Sequence, residues 1–363
     1  MKKILILSTS VGALSSGIGG GVELTIYNLV QEMQRRNHLV KVVAPQNSFF
    51  PHADIVEIEG NLHIPAQTQS RQAPITMPEN SVLANMLDYC YQVQWEYDVI
   101  INFAFDWLPF YLTPFFSTAI AHFISMGSLS DSLDQIMDKI ASKYSHKFGV
   151  YTQSQADTFP FADKCECLGS GIDLSLYQFQ AQPERQLAWL GRIAPEKALE
   201  DAVKASEMTN IPLLIFGKIQ DEEYWQNIQT QYPNAPIKYK GFLQTIDLQA
   251  QLRCCSGLIM TPRWVEAFGN VAIEALACGV PVISYARGGP AEIIDDGKTG
   301  FLVTPDSVEG LVEAINRLPE INRLDCRQTA EGVYSLPAWG DRIEAWIGEV
   351  GIRQYENSTK RIK

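Results

Sequence analysis

Short apolar runs alternate along this chain with longer stretches whose apolar residues recur at helical spacing, and the alternation predicts an architecture. Ile4-Leu5-Ile6-Leu7 opens a strand over 3–9. Leu24, Tyr27, Leu29, Val30 and Met33 then share one side of a helix over 23–36. A strand at 39–44, a strand at 54–58, a helix at 79–95 and strands at 97–102 and 119–123 continue the series. A helix at 131–143 and a strand at 148–152 follow, with Ser154 as the cap of a short helix. Beyond a Gly169-Ser170-Gly171-Ile172-Asp173 turn, strands at 187–190, 211–216 and 237–239 alternate with helices at 197–207, 221–231 and 245–253. Strands separated by helices demand parallel sheets covered on both faces, so the fold class is α/β and doubly wound. After Asp306 helices fill the remainder, and Ile343, Trp346, Ile347 and Val350 form an apolar stripe near the end.

Chemistry concentrates in Glu266-Ala267-Phe268-Gly269-Asn270-Val271-Ala272-Ile273-Glu274. The run from Val271 to Ala277 is made of good helix formers and stops at Gly279 and Pro281. Its start near Gly269 or Asn270 leaves free N–H groups and a positive dipole end, an arrangement suited to phosphate. Glu266 lies just before the helix and Glu274 inside it, about 12 Å apart at most along the axis. That spacing suits two hydroxyl-rich groups, each donating to one carboxylate. A capping Glu and a surface Glu would look the same in isolation, so the flanks decide. Upstream, Leu258-Ile259-Met260-Thr261-Pro262 reads as a buried strand. Downstream come the strand Val280–Ser284, the pair Gly288-Gly289, and Asp296-Gly297-Lys298-Thr299-Gly300. Polar residues at the carboxyl end of a strand are where open α/β sheets bind ligands.

This ordered set over 257–304, with Leu190-Gly191-Arg192-Ile193-Ala194-Pro195-Glu196-Lys197 and Gly19-Gly20-Gly21-Val22-Glu23, resembles the retaining family 4 glycosyltransferases of the GT-B fold. The resemblance implies two Rossmann-like domains facing a central cleft. An acceptor-binding domain would span 1–168 and be rejoined by a crossover helix over 339–363, and a nucleotide-sugar-binding domain would span 169–338. It implies that Arg192 and Lys197 neutralise a leaving diphosphate and that Glu266 holds donor-sugar hydroxyls. Glu274 would take the ribose diol. The Gly241-Phe242 turn would meet the base, and Phe268, Gly269 and Asn270 would line the donor site. Gly20 and Gly21 would form a lip over the donor, and His122 would contact the sugar or its developing charge. The runs Gly-Gly-Gly-Val-Glu-Leu-Thr, Asp-Trp-Leu-Pro and Ile-Ser-Met-Gly-Ser are similar to cyanobacterial UDP-glucose:tetrahydrobiopterin glucosyltransferases, which implies UDP-glucose as donor and a reduced pterin as acceptor. The aromatic segment Phe103–Tyr111 is either core or a wall for a flat acceptor, with Asp106 as its anchor and Trp107 beside it.

Composition narrows the alternatives. With 363 residues the chain is long for one core and comfortable for two. A net charge of −12 argues against nucleic acid and anionic membranes as general electrostatic partners. The helix over 131–143 mixes acids and bases instead of presenting a basic face, which argues against a lipid acceptor. No apolar run approaches the ~20 residues of a spanning helix, and the first one is too short for a secretion signal. Seven cysteines without a C-x-x-C pair read as reduced thiols, making the cytoplasm the expected compartment. The glycines after the first strand come late for a dinucleotide fingerprint, and no acid ends the second strand, so a nicotinamide or flavin cofactor is not expected. Nor is a metal, since no D-x-D motif marks the first domain. Two rival readings are an epimerase of the same fold and a nucleotide-sugar-binding protein without turnover.

Overall fold

The computed structural model describes residues 1–16, 20–144 and 148–361, and of residues 144 and 351–361 the backbone alone. Gly17, Ile18 and Gly19 of the glycine-rich loop therefore lie outside the described residues. The chain divides into two compact units, Met1–Gly171 with Leu336–Lys363, and Ile172–Ser335. The sequence pattern places the division at 168/169 and 338/339, three residues from each of these boundaries.

In the first unit, β1 (Lys3–Leu7), α1 (Gly21–Arg35), β2 (Leu39–Pro45), β3 (Asp54–Ile58), α2 (Val82–Val93), β4 (Val99–Asn102), α3 (Trp107–Leu112), β5 (Ile120–His122) and α4 (Asp131–Tyr144) follow in order. The five strands form a parallel sheet ordered β3-β2-β1-β4-β5. Side chains on a strand alternate between faces. Leu5, Leu7, Val43, Ile100 and Ile120 thus join Val82, Leu83, Met86 and Leu87 of α2 in one core layer. The expected strand at 148–152 is shorter, β6 (Phe148–Val150), and it is not a member of this sheet. It pairs with a strand the sequence reading missed, β7 (Cys165–Cys167). The short helix between them, α5 (Gln153–Ala156), is capped by Thr152 rather than Ser154, because the Thr152 Oγ1 accepts from the Gln155 N–H at 3.1 Å. The last helix of the chain, α13 (Leu336–Arg361), belongs to this unit and packs on α1. Glu32, fully buried, accepts from Arg35 and Arg36. Arg36 also pairs with Glu344 of α13, whose other oxygen lies 2.6 Å from His38 Nε2.

The second unit repeats the plan with β8 (Leu187–Leu190), α6 (Leu199–Thr209), β9 (Leu213–Phe216), α7 (Glu222–Gln231), β10 (Ile237–Gly241), α8 (Thr245–Leu252), β11 (Gly257–Met260) and α9 (Asn270–Ala277). Then come β12 (Val282–Tyr285), α10 (Pro290–Ile293), β13 (Gly300–Val303), α11 (Val308–Arg317) and α12 (Arg323–Val333). Its six strands are parallel in the order β10-β9-β8-β11-β12-β13. Both sheets reverse their winding beside their first strand, between β1 and β4 and between β8 and β11. These are the switch points at which doubly wound folds bind ligands. Among the described residues, no helix is long and apolar enough to cross a membrane.

Arg323, 8% exposed at the start of α12, donates to three carbonyls: Gln180 at 2.7 Å, Cys255 at 2.8 Å and Arg253 at 2.7 Å. Replacing it with Leu strips donors from all three, at a cost of about 3 kcal/mol. Calorimetry of R323L should show the melting transition falling by about 6–10 °C; an unchanged Tm would refute this account of the clamp.

Candidate functional site

At the switch point of the second unit, the loops leaving β8 and β11 converge. The first runs through Arg192 to a tight turn over Pro195–Lys197, closed by Ala198 in the left-handed region at φ 45°. A side chain with a Cβ adopts that conformation only when its surroundings hold it. Thr261, leaving β11, supplies the hold. Its Oγ1 is 2.8 Å from the carbonyls of both Lys197 and Ala198, and it accepts from Trp189 Nε1 at 3.3 Å. Arg263 N–H donates to the Glu196 carbonyl at 2.9 Å, a second tie between the loops.

So held, Lys197 forms an ion pair with Glu266 and lies 5.1 Å from the centroid of the Trp264 ring. Trp264 Nε1–H donates to Glu266 at 3.0 Å. Both donors reach the same carboxylate oxygen, Oε2, and Oε1 takes no hydrogen bond from the described residues. Burial by itself would raise this carboxyl. Lys197, the Trp264 N–H and the charge of Arg192 outweigh it and hold Glu266 below the usual carboxylate range. Arg192, about two-fifths exposed, pairs with Glu196 at 3.0 Å and donates to Gln220.

The double glycine expected downstream now has a physical reason. Gly289 N–H donates to the Glu266 carbonyl at 2.7 Å. A Cβ on Gly288, at φ 67°, would come within 2.6 Å of Glu266 backbone atoms, and one on Gly289 within 2.3 Å of the Phe268 carbonyl. Only glycines let these two loops touch. Next, α9 begins at Asn270 on Gly269, at φ 102°, with no side-chain cap; the Ala272 N–H turns back to the Gly269 carbonyl at 2.9 Å, while those of Asn270 and Val271 have no partner among the described residues. Asn270 Oδ1 is buried with no partner among the described residues.

Glu274 sits one turn into α9, 8% exposed, and accepts from the Tyr177 hydroxyl at 3.0 Å. Burial pushes its carboxyl up to about 7, against the opposing effect of that hydrogen bond. At the sheet edge, Gly241 turns at φ 72°, and the Phe242 ring is 56% exposed with Lys218 Nζ 5.1 Å from its centroid.

Two expectations need correcting. Phe268 is 4% exposed and meets Tyr334 edge-on at 6.1 Å, so its ring packs the core and only its backbone faces the glycine loop. His122 is fully buried. Asn102 Nδ2 donates to its Nδ1 at 2.9 Å, and its Nε2 lies 2.8 Å from Thr113 Oγ1, whose hydroxyl donates to the Pro109 carbonyl. A histidine with both nitrogens engaged inside the core is a structural residue, not one that meets a sugar. The aromatic segment divides. Phe103 and Phe110 are core, whereas Trp107 stacks on the exposed Tyr111 at 4.5 Å. Asp106 is partly exposed, and Gly20 and Gly21 form the uncapped start of α1, with Gly20 at φ 59°. Trp264, Thr261 and Tyr177 were not anticipated. Trp264 stands two residues from Glu266 and Thr261 directly follows its strand, but nothing local marks Tyr177, 97 positions from its partner.

Residues 178–332 match the family model for glycosyl transferases, group 1. The second unit carries the group 1 glycosyl transferase pattern. Over 141 residues the chain is 33% identical to the sulfoquinovosyl transferase SQD2 of Arabidopsis thaliana and to the D-inositol 3-phosphate glycosyltransferase of Mycobacteroides abscessus. The matches cover 38% and 37% of this chain but only 27% and 32% of those relatives. Among solved structures, Anabaena HepE with UDP and glucose aligns at TM-score 0.74 and 18% identity, covering 96% of this chain and 100% of HepE. The sucrose-phosphate synthase of Thermosynechococcus elongatus aligns at TM-score 0.67 and 18% identity, covering 100% and 99%. These likenesses show the fold: two Rossmann-like units of the GT-B class.

The buried Glu274 yields a prediction about stability and pH. Its folded pKa, about 7, lies above the ordinary 4.5, so the folded state binds the proton more tightly. The stabilisation it contributes is full below 4.5 and is lost as pH rises through about 7. In E274Q, neutral throughout, this component disappears. The Tm difference between E274Q and the native chain should therefore shift in favour of the variant from pH 5 to 8, and parallel curves would refute it.

Proposed function

We propose that the chain transfers a hexose, glucose first among candidates, from a UDP-sugar to an acceptor hydroxyl with retention at the anomeric carbon. The observation that carries this reading is Glu266. One oxygen is fixed by Lys197 and Trp264, and the other has no partner among the described residues, on a loop four residues before the uncapped start of α9 at a switch point. A carboxylate so prepared can accept sugar hydroxyls at its second oxygen, while the helix start and two cations, each paired with a glutamate, supply donors for an anion. The family match supports the transferase class, and the HepE structures with UDP, with UDP-glucose and with UDP and glucose support the choice of donor.

Breaking the anomeric C–O bond builds positive charge on the sugar and negative charge on the departing diphosphate. Arg192 can meet the diphosphate with a planar fork, and Lys197 can turn further N–H donors toward it while still paired with Glu266. Glu274, steadied by Tyr177, would accept from the ribose diol, and the exposed Phe242 would stack on the base. No covalent nucleophile is assigned. The incoming hydroxyl attacks from the face the diphosphate leaves, passing its proton to a phosphate oxygen. This chemistry uses the two cations in place of a metal. For the acceptor we take a reduced pterin first, whose flat ring suits Trp107 and Tyr111, and we place the reaction in the cytoplasm.

Release of UDP from UDP-glucose, followed with reduced pterin, sugar and lipid acceptors, tests the reading. Turnover with pterin and without added metal is the expected result, and failure to bind any nucleotide sugar would overturn it. Removing Arg192 or Lys197 should lower kcat by about 10²–10³. R192A or K197A turning over at the native rate would sink those assignments.

A further inference from the structure

The first unit has a switch point of its own, between β1 and β4, and a hydrogen-bonded chain of three side chains ends there. His63, in the long loop after β3, donates its backbone N–H to the Ser10 carbonyl, just past β1, at 2.9 Å. Its Nε2 lies 2.7 Å from Ser81 Oγ and its Nδ1 lies 2.7 Å from Asp106 Oδ2. Ser81 Oγ already accepts from the Ala84 N–H at 3.1 Å as the cap of α2. Its own hydrogen has no acceptor but Nε2 among the described residues. A carboxylate only accepts, so His63 Nδ1 carries a proton and donates it to Asp106.

Serine, histidine and aspartate in this order are the sequence of contacts in a hydrolytic triad. Here the chain faces the other way. Ser81 is 4% exposed and tied to a helix, so no substrate reaches it, whereas the Asp106 side chain is 19% exposed. Asp106 also stands at the N-cap of α3 in extended backbone, yet its side chain makes no cap bond. It gives up the bond such a residue ordinarily makes and turns one oxygen to His63. The other oxygen, Oδ1, has no partner among the described residues. Thr9, two residues past β1, is buried with its hydroxyl also unpartnered among the described residues.

We propose that this switch point binds a group that donates hydrogen bonds and carries no negative charge, a hydroxyl or an amine, with Asp106 as its acceptor and His63 as the positioning residue. Charge supports the choice. The loops at the carboxyl ends of the five strands, 8–20, 46–53, 59–81, 103–106 and 123–130, contain Glu59, Glu79 and Asp106 but only one Lys or Arg, Arg71. Arg71 is spent on Asp131 at 2.7 Å, Asp134 at 2.8 Å and the Ser128 hydroxyl at 2.8 Å. A phosphorylated ligand would meet a carboxylate and find no unpaired cation in these loops among the described residues. The site takes a ligand whether or not it is an acceptor; only the word acceptor rests on the transferase reading.

The test is titration of the full chain, with UDP present, by myo-inositol, 2-deoxystreptamine and myo-inositol 1-phosphate. At least one of the first two should bind, and the phosphate ester should bind about tenfold more weakly than myo-inositol or not at all. D106A and H63L should each weaken binding about tenfold. H63N, whose amide N–H stands where Nδ1–H was, should restore it to within about threefold, a rescue that a merely structural histidine would not show. UDP affinity should be unchanged in D106A and H63N. Equal or tighter binding of the phosphate ester, native binding by H63L, failure of H63N to rescue, or no binding of either parent compound would overturn the proposal. Failure of the native chain to bind UDP would instead overturn the transferase reading and leave the Asp106 comparisons intact.

Discussion

Lys197 and Glu266 come from loops that leave neighbouring strands, 69 residues apart, and their ion pair is the point on which the second unit's site turns. Neither charge could stand there unaided, because a half-buried ammonium and a half-buried carboxylate each lose hydration that only the other returns. The backbone beneath them is arranged to the same end. Thr261 pins the left-handed turn that carries Lys197, and glycines at 288 and 289 let a third loop press against Glu266 from below. What remains unpartnered among the described residues after these contacts is one carboxylate oxygen and a helix start, with the part-exposed Arg192 held nearby in the loop by Glu196 and Gln220. The packing leaves over groups of the kind that the proposed nucleotide sugar would use.

The first unit solves a different problem with related parts. Two buried histidines stand near the carboxyl ends of its strands, and their hydrogen-bond partners separate their roles. His122 lies on β5 between aromatic rings, where Asn102 and Thr113 take both nitrogens, so it serves the core. His63 is nearly as buried, but its hydrogen bond ends on a carboxylate that is not. The same side-chain chemistry is inert in one place and directs an open acceptor in the other. The difference lies in which partner reaches solvent.

Much of the architecture was legible from the order of apolar runs. Parallel sheets, helices on both faces and the start of α9 at Asn270 follow from period and from glycine and proline punctuation, which are local properties of the chain. The small β6-β7 pair escaped because a three-residue strand around Cys165 has no period to read. Thr152 displaced Ser154 as a cap because the strand before it ended early, a boundary that pairing decides and propensity does not.

For the site, the sequence by itself determined the residue types and their spacing: Arg192, Lys197, Glu266, Asn270, Glu274, and the glycines that must let loops approach. Their order is local, and so is the helix that separates the two carboxylates. The tertiary structure alone decided who partners whom. Tyr177 on Glu274, Trp264 beside Lys197, and His63 between Ser81 and Asp106 join residues from different loops, and His122 and Phe268 were drawn into the core. Burial and hydrogen-bond pairing depend on which strands lie side by side, and a linear pattern specifies the faces of an element but not its neighbours.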